Sequence, residues 1–481
     1  MLPWDLNVAG TWGIIYYASE WVIRLAMLVV VPFRRPPAAA NAWLLLVFFH
    51  PWVGLVLYLA IGRPELPRWR TRKLMRLRPE MEAVSERLRE HPSVFEPELP
   101  PRLMQAVHLA QNLSLLPVLG GNSAELLADY GGAVARLVAD IDAARDHVHL
   151  LYYIYADDAT GRMVTDALAR AVKRGVTCRV LIDALGSRRP LRTLLPKLAQ
   201  AGVQVHRVLQ ARLLRFTRGR MDLRNHRKIA VIDGRVGYTG SQNLVDPAFK
   251  KGITYEELVA RVTGPVVLGL QVVFVADWYL ESDELLETPA VFPEPEVTGD
   301  VPVQPLPSGP GWAAAAIQRV VVALIYGARE RVVITTPYFV PDSALLQALQ
   351  TAVLRGVEVH LVVSRQKDQL LVRLAQRSYY AQLLEAGVRV HLYREAFLHA
   401  KHVSIDGEIA LIGSSNMDIR SFLLNAEIAL LFYSKEVTAR LRAEQERYFA
   451  GSDLLDLGQW QQRSLVSKVA ENSARLMSAL L

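Results

Sequence analysis

The chain has 481 residues, which is enough for several domains and a large buried core. Hydrophobic residues make up 51% and charged residues 21%, a balance that excludes a disordered or collagen-like chain. The single cysteine, Cys178, excludes an internal disulfide framework and any cysteine-based zinc or iron–sulfur site, while the net charge of +8 favours an anionic partner, either nucleic acid or an acidic membrane surface.

Two long apolar runs lie near the start of the chain, from Thr11 to Phe33 and from Ala38 to Ile61. Each exceeds the roughly 20 helical residues that cross a hydrocarbon layer of about 30 Å. A cleaved signal peptide fits poorly, because no basic segment precedes the first run and a second run follows closely. The pattern predicts a transmembrane hairpin of two helices; a pair of buried helices in a soluble core is the alternative.

Basic residues are unevenly distributed around these runs. Two lie between the runs and seven follow the second run: Arg34 and Arg35, then Arg63, Arg68, Arg70, Arg72, Lys73, Arg76 and Arg78. The larger cluster predicts that the following domain lies on the cytoplasmic side of the membrane. The same cluster is expected to bind anionic lipid head groups.

The rest of the chain contains an internal repeat. The segment His226–Gly234 recurs as His399–Gly407, and Gly240–Asn243 recurs as Gly413–Asn416, each time 173 residues later. Strand–helix–strand patterns precede both copies, with Gly175 and Gly356 ending the helices, which indicates βαβ units. The fold class predicted is α/β, with two lobes related by a pseudo-twofold axis. The predicted boundaries are 1–62 for the transmembrane hairpin, 63–122 for a basic juxtamembrane linker, 123–290 for the first lobe, 291–311 for an interlobe linker, 312–450 for the second lobe and 451–481 for an amphipathic tail.

Each repeat copy has the pattern of a β-hairpin. In the first copy, Asp233-Gly234 is a turn dipeptide between two apolar strands. A two-residue loop would place His226 opposite Ser241, and the second copy would place His399 opposite Ser414 in the same way. Histidine, lysine, serine and asparagine would then gather at one end of each hairpin. The aspartates at the far end, Asp233 and Asp406, are predicted to be structural.

Paired histidines from symmetric lobes suit a double displacement, in which one histidine attacks and the other protonates the leaving group. Lysine and asparagine beside them offer positive charge and N–H donors for phosphoryl oxygens. The candidate catalytic residues are His226, Lys228, Glu257, His399, Lys401 and Glu427. The candidate substrate-binding residues are Ser241, Asn243, Ser414 and Asn416.

The two glutamates lie in apolar strands downstream of the histidines. A carboxylate in such a strand needs a partner, so Glu257 is predicted to bind His226 and Glu427 to bind His399. Metal binding is the rival use of these residue types. However, a lysine two residues from each histidine would repel a cation, and the sequence has no closely spaced ligand set. No metal and no other cofactor is therefore predicted.

The doubled pattern His-x-Lys-x4-Asp-x6-Gly-Ser-x-Asn resembles the signature of the phospholipase D superfamily. The second copy and its continuation, from His399 through Asn416-Met-Asp-Ile-Arg-Ser-Phe-Leu-Leu-Asn-Ala-Glu427, resembles bacterial cardiolipin synthases in particular. The resemblance implies transfer of a phosphatidyl group between two phosphatidylglycerol molecules, giving cardiolipin and glycerol through a phosphohistidine. It also implies anionic phospholipids as partners and a bacterial inner membrane location, with no nucleic acid bound.

Several alternatives remain open at this point. A phospholipase D-type hydrolase would use the same site with water as the acceptor, and another phosphatidyltransferase would differ only in its head group. A nuclease would fit the net charge, although two membrane spans make nucleic acid an awkward substrate, and a non-catalytic membrane scaffold would not need both sites. His226 is predicted to be the nucleophile and His399 the acid, but symmetry permits the reverse order. The oligomeric state is not predicted.

Overall fold

The computed structural model describes residues 4–35, 37–62, 66–209, 222–366 and 368–476. An N-terminal unit ends at Met75, and a larger unit begins at Arg76. The helices are α1 (Trp4–Val30), α2 (Pro37–Phe49), α3 (Pro51–Leu57, followed by a π-helical turn over Tyr58–Gly62), α4 (Arg68–Arg89), α5 (Pro101–Ser114), α6 (Tyr130–Ala143), α7 (Ala159–Lys173), α8 (Leu191–Gln200), α9 (Val266–Ser282), α10 (Ala316–Gly327), α11 (Ser343–Leu354), α12 (Leu370–Glu385), α13 (Ile419–Leu423), α14 (Lys435–Ala450), α15 (Leu457–Gln461) and α16 (Leu465–Leu476).

The strands are β1 (Leu119–Leu127), β2 (His147–Tyr152), β3 (Thr177–Asp183), β4 (Gln204–Val208), β5 (Ile229–Ile232), β6 (Val236–Gly240), β7 (Tyr255–Glu256), β8 (Val259–Thr263), β9 (Val301–Ser308), β10 (Arg331–Thr335), β11 (Phe339–Val340), β12 (Glu358–Ser364), β13 (Arg389–Tyr393), β14 (Phe397–Leu398), β15 (His402–Ile405), β16 (Ile409–Gly413), β17 (Met417–Asp418), β18 (Glu427–Phe432) and β19 (Ser452–Leu454).

The N-terminal unit contains one helix with the length and apolar composition needed to cross a membrane. Among the described residues, this is the segment Gly10–Val30 of α1, with a mean hydropathy of 1.5. The second apolar run does not form the single spanning helix that we predicted. It breaks at His50 into α2 and α3, which are each too short to span. Pro51 is the first residue of α3, where its missing N–H is tolerated.

Helices α2 and α3 fold back on each other as a helical hairpin. The rings of Trp43 and Tyr58 meet edge to face with centroids 5.3 Å apart. Gly54 lies so close to α2 that a Cβ atom there would be 2.8 Å from the Cα of Val47. Such contacts between residues 7 and 15 positions apart are impossible along one straight helix, because each residue advances the axis by about 1.5 Å.

The larger unit is built around one sheet of 15 strands within the described residues. The strand order is β19-β13-β12-β10-β15-β16-β18-β9-β1-β8-β6-β5-β2-β3-β4. Outward from the centre, β8-β6-β5-β2-β3-β4 on one side and β18-β16-β15-β10-β12-β13 on the other have the same sequence of antiparallel and parallel pairings. The mixed α/β fold that we predicted is therefore confirmed.

Helices cover both faces of this sheet. Along the strands, alternate apolar residues enter different cores: Leu150 packs with α6 to α8, whereas Leu151 packs with α9 on the opposite face. Burial on both faces explains why these strands have nearly continuous apolar sequences. Gly175 and Gly356 follow α7 and α11 with φ of 92° and 86°, the left-handed conformation expected where glycine ends a helix.

Part of the predicted interlobe linker is a strand at the centre of the sheet. Strand β9 pairs with β18 along its length but with β1 only as far as Val303. The backbone of Pro305 and Pro307 is directed towards the β1 side, where β9 is no longer paired. The N–H groups that these prolines lack are therefore not needed for pairing between strands. The prolines that suggest a linker in the sequence are thus compatible with a strand.

Candidate active site

The two repeat copies form the hairpins β5–β6 and β15–β16, but their register differs from the predicted one. The loop contains three residues, Asp233–Arg235, because the ladder resumes one residue after the turn dipeptide. Ile229 therefore faces Thr239, and the expectation that His226 lies opposite Ser241 is wrong by one residue. The second copy is displaced in the same way, so the corresponding expectation for its histidine and serine is also wrong.

The turn aspartates bind backbone amides of a neighbouring helix-to-strand connection. The carboxylate of Asp233 accepts three N–H groups from residues 145–147, each at 2.8 Å. Asp406 accepts the N–H groups of residues 329–331 at 2.8 to 3.0 Å. Both aspartates have positive φ, 52° and 51°, in agreement with a tight turn. Their carboxylates fix each hairpin to the start of the preceding parallel strand.

Short parallel pairings bring segments from the two halves together. In one of them, β14 pairs with β7, and the N–H of His399 donates to the carbonyl of Glu256 at 2.7 Å. In the other, Asn225 bridges Ala426, whose carbonyl accepts the N–H of His226 at 2.8 Å. Each histidine is thereby held beside the residue that precedes the glutamate of the opposite half.

This arrangement crosses the histidine–glutamate pairs. His226 Nδ1 lies 3.0 Å from Glu427 Oε2, and His399 Nδ1 lies 2.7 Å from Glu257 Oε1. The prediction that each glutamate binds the histidine of its own repeat is wrong. The reason is that β7 and the segment before β18 pair across the two halves, which delivers each carboxylate to the other half's imidazole.

Both carboxylates are buried, and that of Glu427 is held by additional donors. Ser414 Oγ donates to Glu427 Oε2 at 2.5 Å, and Asn425 Nδ2 donates to Glu427 Oε1 at 3.3 Å. Although burial opposes ionisation, the nearby histidine and lysine charges lower the pKa of both Glu257 and Glu427 below the usual value. Both glutamates are therefore ionised at neutral pH, and each accepts a hydrogen bond from the Nδ1–H of the facing histidine.

Burial also keeps the two imidazoles neutral. Desolvation is the largest effect on both rings and outweighs the facing glutamates, so the pKa of His226 is lowered and that of His399 falls to about 4. A neutral ring whose Nδ1–H donates to a carboxylate has an unprotonated Nε2. That nitrogen is the one available to act as a nucleophile or a base.

The two lysines lie almost completely buried between these pairs. Lys228 Nζ donates to the carbonyl of His226 at 2.8 Å, and Lys401 makes the equivalent bond to His399. Desolvation lowers the pKa of Lys228 to about 7 and that of Lys401 to about 8. A bound anion would favour their charged forms, so the pair is suited to a phosphoryl group.

A cavity of about 310 Å³ collects the predicted residues from both halves. His226, Asn243, Glu257, His399 and Asn416 line it. The remaining predicted catalytic and binding residues, apart from the turn aspartates, lie behind this wall and hydrogen-bond to it or to neighbouring backbone: Lys228, Ser241, Lys401, Ser414 and Glu427. Within the described ranges, no group of three or more His, Cys, Asp or Glu side chains could hold a metal ion.

Other lining residues were not singled out from the sequence. Phe249, Lys250 and Asp368 line the cavity and lie outside the repeated motifs. Lys250 and the hydroxyl of Tyr338 both bind the carboxylate of Asp368. No repeat or spacing signal marks these positions, because they lie on connections that differ between the halves.

Two known protein families match segments of this chain. A family model described as cardiolipin synthase, phospholipase D-like domain, matches residues 137–278 and 321–449, and a phospholipase D-nuclease N-terminal model matches residues 22–63. The chain belongs to the cardiolipin synthase family of phospholipase D-like proteins. The family predicted from the sequence is confirmed.

Individual relatives support the same assignment. The chain is 34% identical to cardiolipin synthase A of Pectobacterium atrosepticum over 98% of each chain, and 35% identical to that of Proteus mirabilis over 94% of this chain and 95% of the relative. The crystal structure of phosphatidylserine synthase from Haemophilus influenzae matches with a TM-score of 0.60 at 18% identity, covering 79% of this chain and all of that one. The latter likeness shows a shared fold.

Proposed function

We propose that this protein is a cardiolipin synthase. It transfers the phosphatidyl group of one phosphatidylglycerol to the terminal hydroxyl of another and releases glycerol. The observation that carries the proposal is that His226 and His399, one from each half, line the same cavity with a buried carboxylate behind each. The full-length similarity to proteins named cardiolipin synthase A supports the choice of substrate.

The reaction proceeds by double displacement. The negative charge of the bound phosphodiester favours the protonated form of His399, whose ring is neutral in the empty site. Nε2 of His226 then attacks phosphorus and the P–O bond to the glycerol head group breaks, while the imidazolium of His399 gives its Nε2 proton to the departing oxygen. His399 then removes a proton from the hydroxyl of the second lipid, whose oxygen attacks phosphorus as the P–N bond breaks. Glu427 and Glu257 orient the two rings and stabilise each imidazolium when it forms. The reverse order of the histidines uses the same atoms.

The surrounding residues have separate roles. The lysines and asparagines of the two motifs hold the non-bridging phosphoryl oxygens, because they offer buried positive charge and N–H donors. The serines support the carboxylates and the adjoining strands, and the turn aspartates are structural. The residues that hold the phosphoryl oxygens are Lys228, Lys401, Asn243 and Asn416. The supporting serines are Ser241 and Ser414, and the structural aspartates are Asp233 and Asp406.

The two halves act as lobes related by a pseudo-twofold axis, with boundaries at residues 123–290 and 312–450. The identical pairing order of their strands supports this interpretation. The chain is held in the bacterial inner membrane by α1, with the catalytic unit on the cytoplasmic side. The basic residues that follow the apolar segments support this orientation and contact anionic lipids, phosphatidylglycerol and cardiolipin.

The experiment that tests the function uses the purified full-length protein in phosphatidylglycerol bilayers with a chelator present. We expect cardiolipin and glycerol in equal amounts, and phosphatidic acid without cardiolipin would instead indicate a hydrolase. His226→Ala and His399→Ala should each abolish cardiolipin formation, whereas His108→Ala, at an exposed position on α5, should not. A phosphorylated enzyme trapped with labelled donor lipid should carry the label on one of the two active-site histidines, and its absence in all variants would contradict double displacement.

A further inference from the structure

Two asparagines that line the cavity have side-chain oxygens without a hydrogen-bond partner in the part of the chain that the structure describes. Asn416 and Asn425 both line the cavity, each is 6% exposed, and neither side-chain Oδ1 accepts a hydrogen bond within the described residues. Buried polar atoms in folded proteins are nearly always paired. Unpaired acceptors on side chains that line a cavity therefore point to a ligand that carries hydrogen-bond donors. Asn416 belongs to the repeated motif and already has a proposed role at the phosphoryl group.

Asn425 lies outside the repeated motif, and its orientation is fixed. Its Nδ2 donates to the carboxylate of Glu427. Because a carboxylate only accepts hydrogen bonds, the nitrogen must be the amide atom on that side. The oxygen is then the atom left for a ligand. Asn425 also neighbours Ala426, which binds the backbone of His226, so this acceptor belongs to the wall beside that histidine.

The charge around Asn425 selects between two kinds of donor. A carbonyl oxygen accepts equally well from a hydroxyl or from an ammonium group. Arg224 and Arg420 lie beside this segment, since the N–H of Asn425 donates to the carbonyl of Arg420 and the N–H of Ala426 to that of Arg224. Of the carboxylates that line the cavity, Glu257 and Asp368 lie on the His399 side, and Asp418 lies near Asn425. The two arginines outweigh this one carboxylate, so a positively charged head group would be repelled. A neutral polyol attached to a phosphate satisfies both conditions. The opposite wall is different, because Tyr255, Tyr338 and Phe397 surround His399 with ring centroids 5.4 to 6.3 Å away.

We propose that Asn425 is a specificity-determining residue whose Oδ1 accepts a hydrogen bond from a hydroxyl of the glycerol head group. This inference rests on the proposed function and names the subsite that distinguishes glycerol from an ammonium-bearing head group. The equivalent position in the other half is Tyr255, since both residues stand two positions before a glutamate. The two halves therefore differ at the residues that would contact the head groups, although they are alike at the histidines.

The test removes the proposed hydrogen bond first by deleting a hydroxyl of the lipid head group and then by replacing Asn425. Single-turnover release of the head-group alcohol is measured with phosphatidylglycerol, with phosphatidyl-1,3-propanediol and with phosphatidyl-1,2-propanediol, which lack one or the other free hydroxyl. We expect the native protein to prefer phosphatidylglycerol over one analogue by about 3- to 10-fold, the value of one neutral hydrogen bond. Asn425→Leu should lose that preference and react with both lipids at the slower rate.

The control is Tyr255→Phe, which removes a hydroxyl at the equivalent position and should keep the native preference. Asn425→Ala serves if the leucine variant does not fold, as judged by its thermal melting. A variant of Asn425 that slows both lipids equally and retains the preference would show a structural role and overturn the proposal. Failure of the native protein to release glycerol at all would refute the proposed function instead, so the two failures are distinguishable.

A different set of contacts carries an inference about the membrane segment. The two ends of the α2–α3 hairpin meet, because Arg35 Nε donates to the carbonyl of Gly62 at 2.7 Å. The tip of the hairpin lies beside α1 six residues before that helix ends, where Arg24 Nε donates to the carbonyl of Phe48 at 3.1 Å. Glu20 is the central residue of the apolar segment Gly10–Val30, and Arg24 lies four residues further, or about 6 Å along the helix axis.

We infer that α1 crosses the membrane once and that α2 and α3 form a re-entrant hairpin. The ion pair of Arg24 with Glu20, at 3.2 Å, then lies near the bilayer centre, where a charge needs a partner. Arg24 also satisfies a carbonyl at the C-terminal end of α2, the negative end of that helix. The chain leaves the hairpin on the side where it entered, so all the flanking basic residues lie on the cytoplasmic side and the N-terminus lies on the other.

The test is cysteine labelling of the full-length protein in spheroplasts with a membrane-impermeant maleimide. The native Cys178 is buried and serves as an unreactive background. We expect Asn7→Cys to react in intact spheroplasts and Thr71→Cys to react only after lysis. If Asn7→Cys also reacts only after lysis, the chain crosses twice and the re-entrant hairpin is refuted.

Discussion

The structure pairs each glutamate with the histidine of the other half. This crossed pairing predicts a different effect of glutamate substitution than pairing within each half would. Glu427→Gln replaces a carboxylate 3.0 Å from His226 Nδ1 with a neutral amide of similar shape. A charge-assisted hydrogen bond contributes about 1.5–3 kcal/mol and a neutral one about 0.5–1.5 kcal/mol, so the exchange weakens activation of the ring by about 1–2 kcal/mol, or about 5- to 30-fold in rate. We expect His226 to become less nucleophilic by that factor and His399 to keep its reactivity. Glu257→Gln should instead make His399 less nucleophilic and leave the reactivity of His226 unchanged.

The assay is the initial rate of modification of each histidine by diethylpyrocarbonate near pH 7, measured by mass spectrometry of the peptides. Glu256→Gln is the matched control, because Glu256 is adjacent to Glu257 but binds Tyr393 and Arg447 instead of a catalytic histidine. It should change neither rate. If Glu427→Gln slowed His399 more than His226, the crossed pairing would be refuted.

Burial lowers the pKa of Lys228 to about 7 and of Lys401 to about 8, so both side chains lose their charge as the pH rises through this window. Measured kcat/KM should therefore fall above neutral pH, and Lys228→Arg should remove its part of that decline. Asp233→Ala or Asp406→Ala deletes an acceptor of three backbone N–H groups and should lower the free energy of unfolding by about 2–4 kcal/mol without changing the specific activity of the folded protein. Arg227 forms a buried ion pair with Asp277 at 2.6 Å. Arg227→Met removes the positive partner of that carboxylate, and denaturant titration should show a loss of about 3–5 kcal/mol; an unchanged midpoint would contradict the buried ion pair.

Local features of the fold were predictable because they depend on residues close in sequence. The turn dipeptides, with Asp233 and Asp406 at positive φ, and the helix-ending glycines Gly175 and Gly356 have fixed conformational preferences. The repeat itself indicated that the two hairpins are alike. The error of one residue in register came from the loop length, which the dipeptide alone does not determine.

Features that depend on long-range pairing were not predictable from the sequence. Strand β9 contains three prolines and resembles a linker, yet its place between β18 and β1 leaves Pro305 and Pro307 without a required hydrogen bond. The second apolar run has the composition of a spanning helix, and only its contacts with itself and with α1 reveal the reversal at His50. The composition of a segment indicates whether it can be buried, but it does not indicate which other segments it will pack against.

The histidine–glutamate pairing was missed for a related reason, and its consequence is functional. Both assignments satisfy a buried carboxylate equally, so the sequence offers no basis for choosing the partner in the other half. The choice is made by two very short pairings, β7 with β14 and Asn225 with Ala426. Because each half supplies the carboxylate that orients the other half's imidazole, neither half can assemble a complete histidine–glutamate pair alone. The sheet therefore joins two motifs, each of which completes the histidine–glutamate pair of the other.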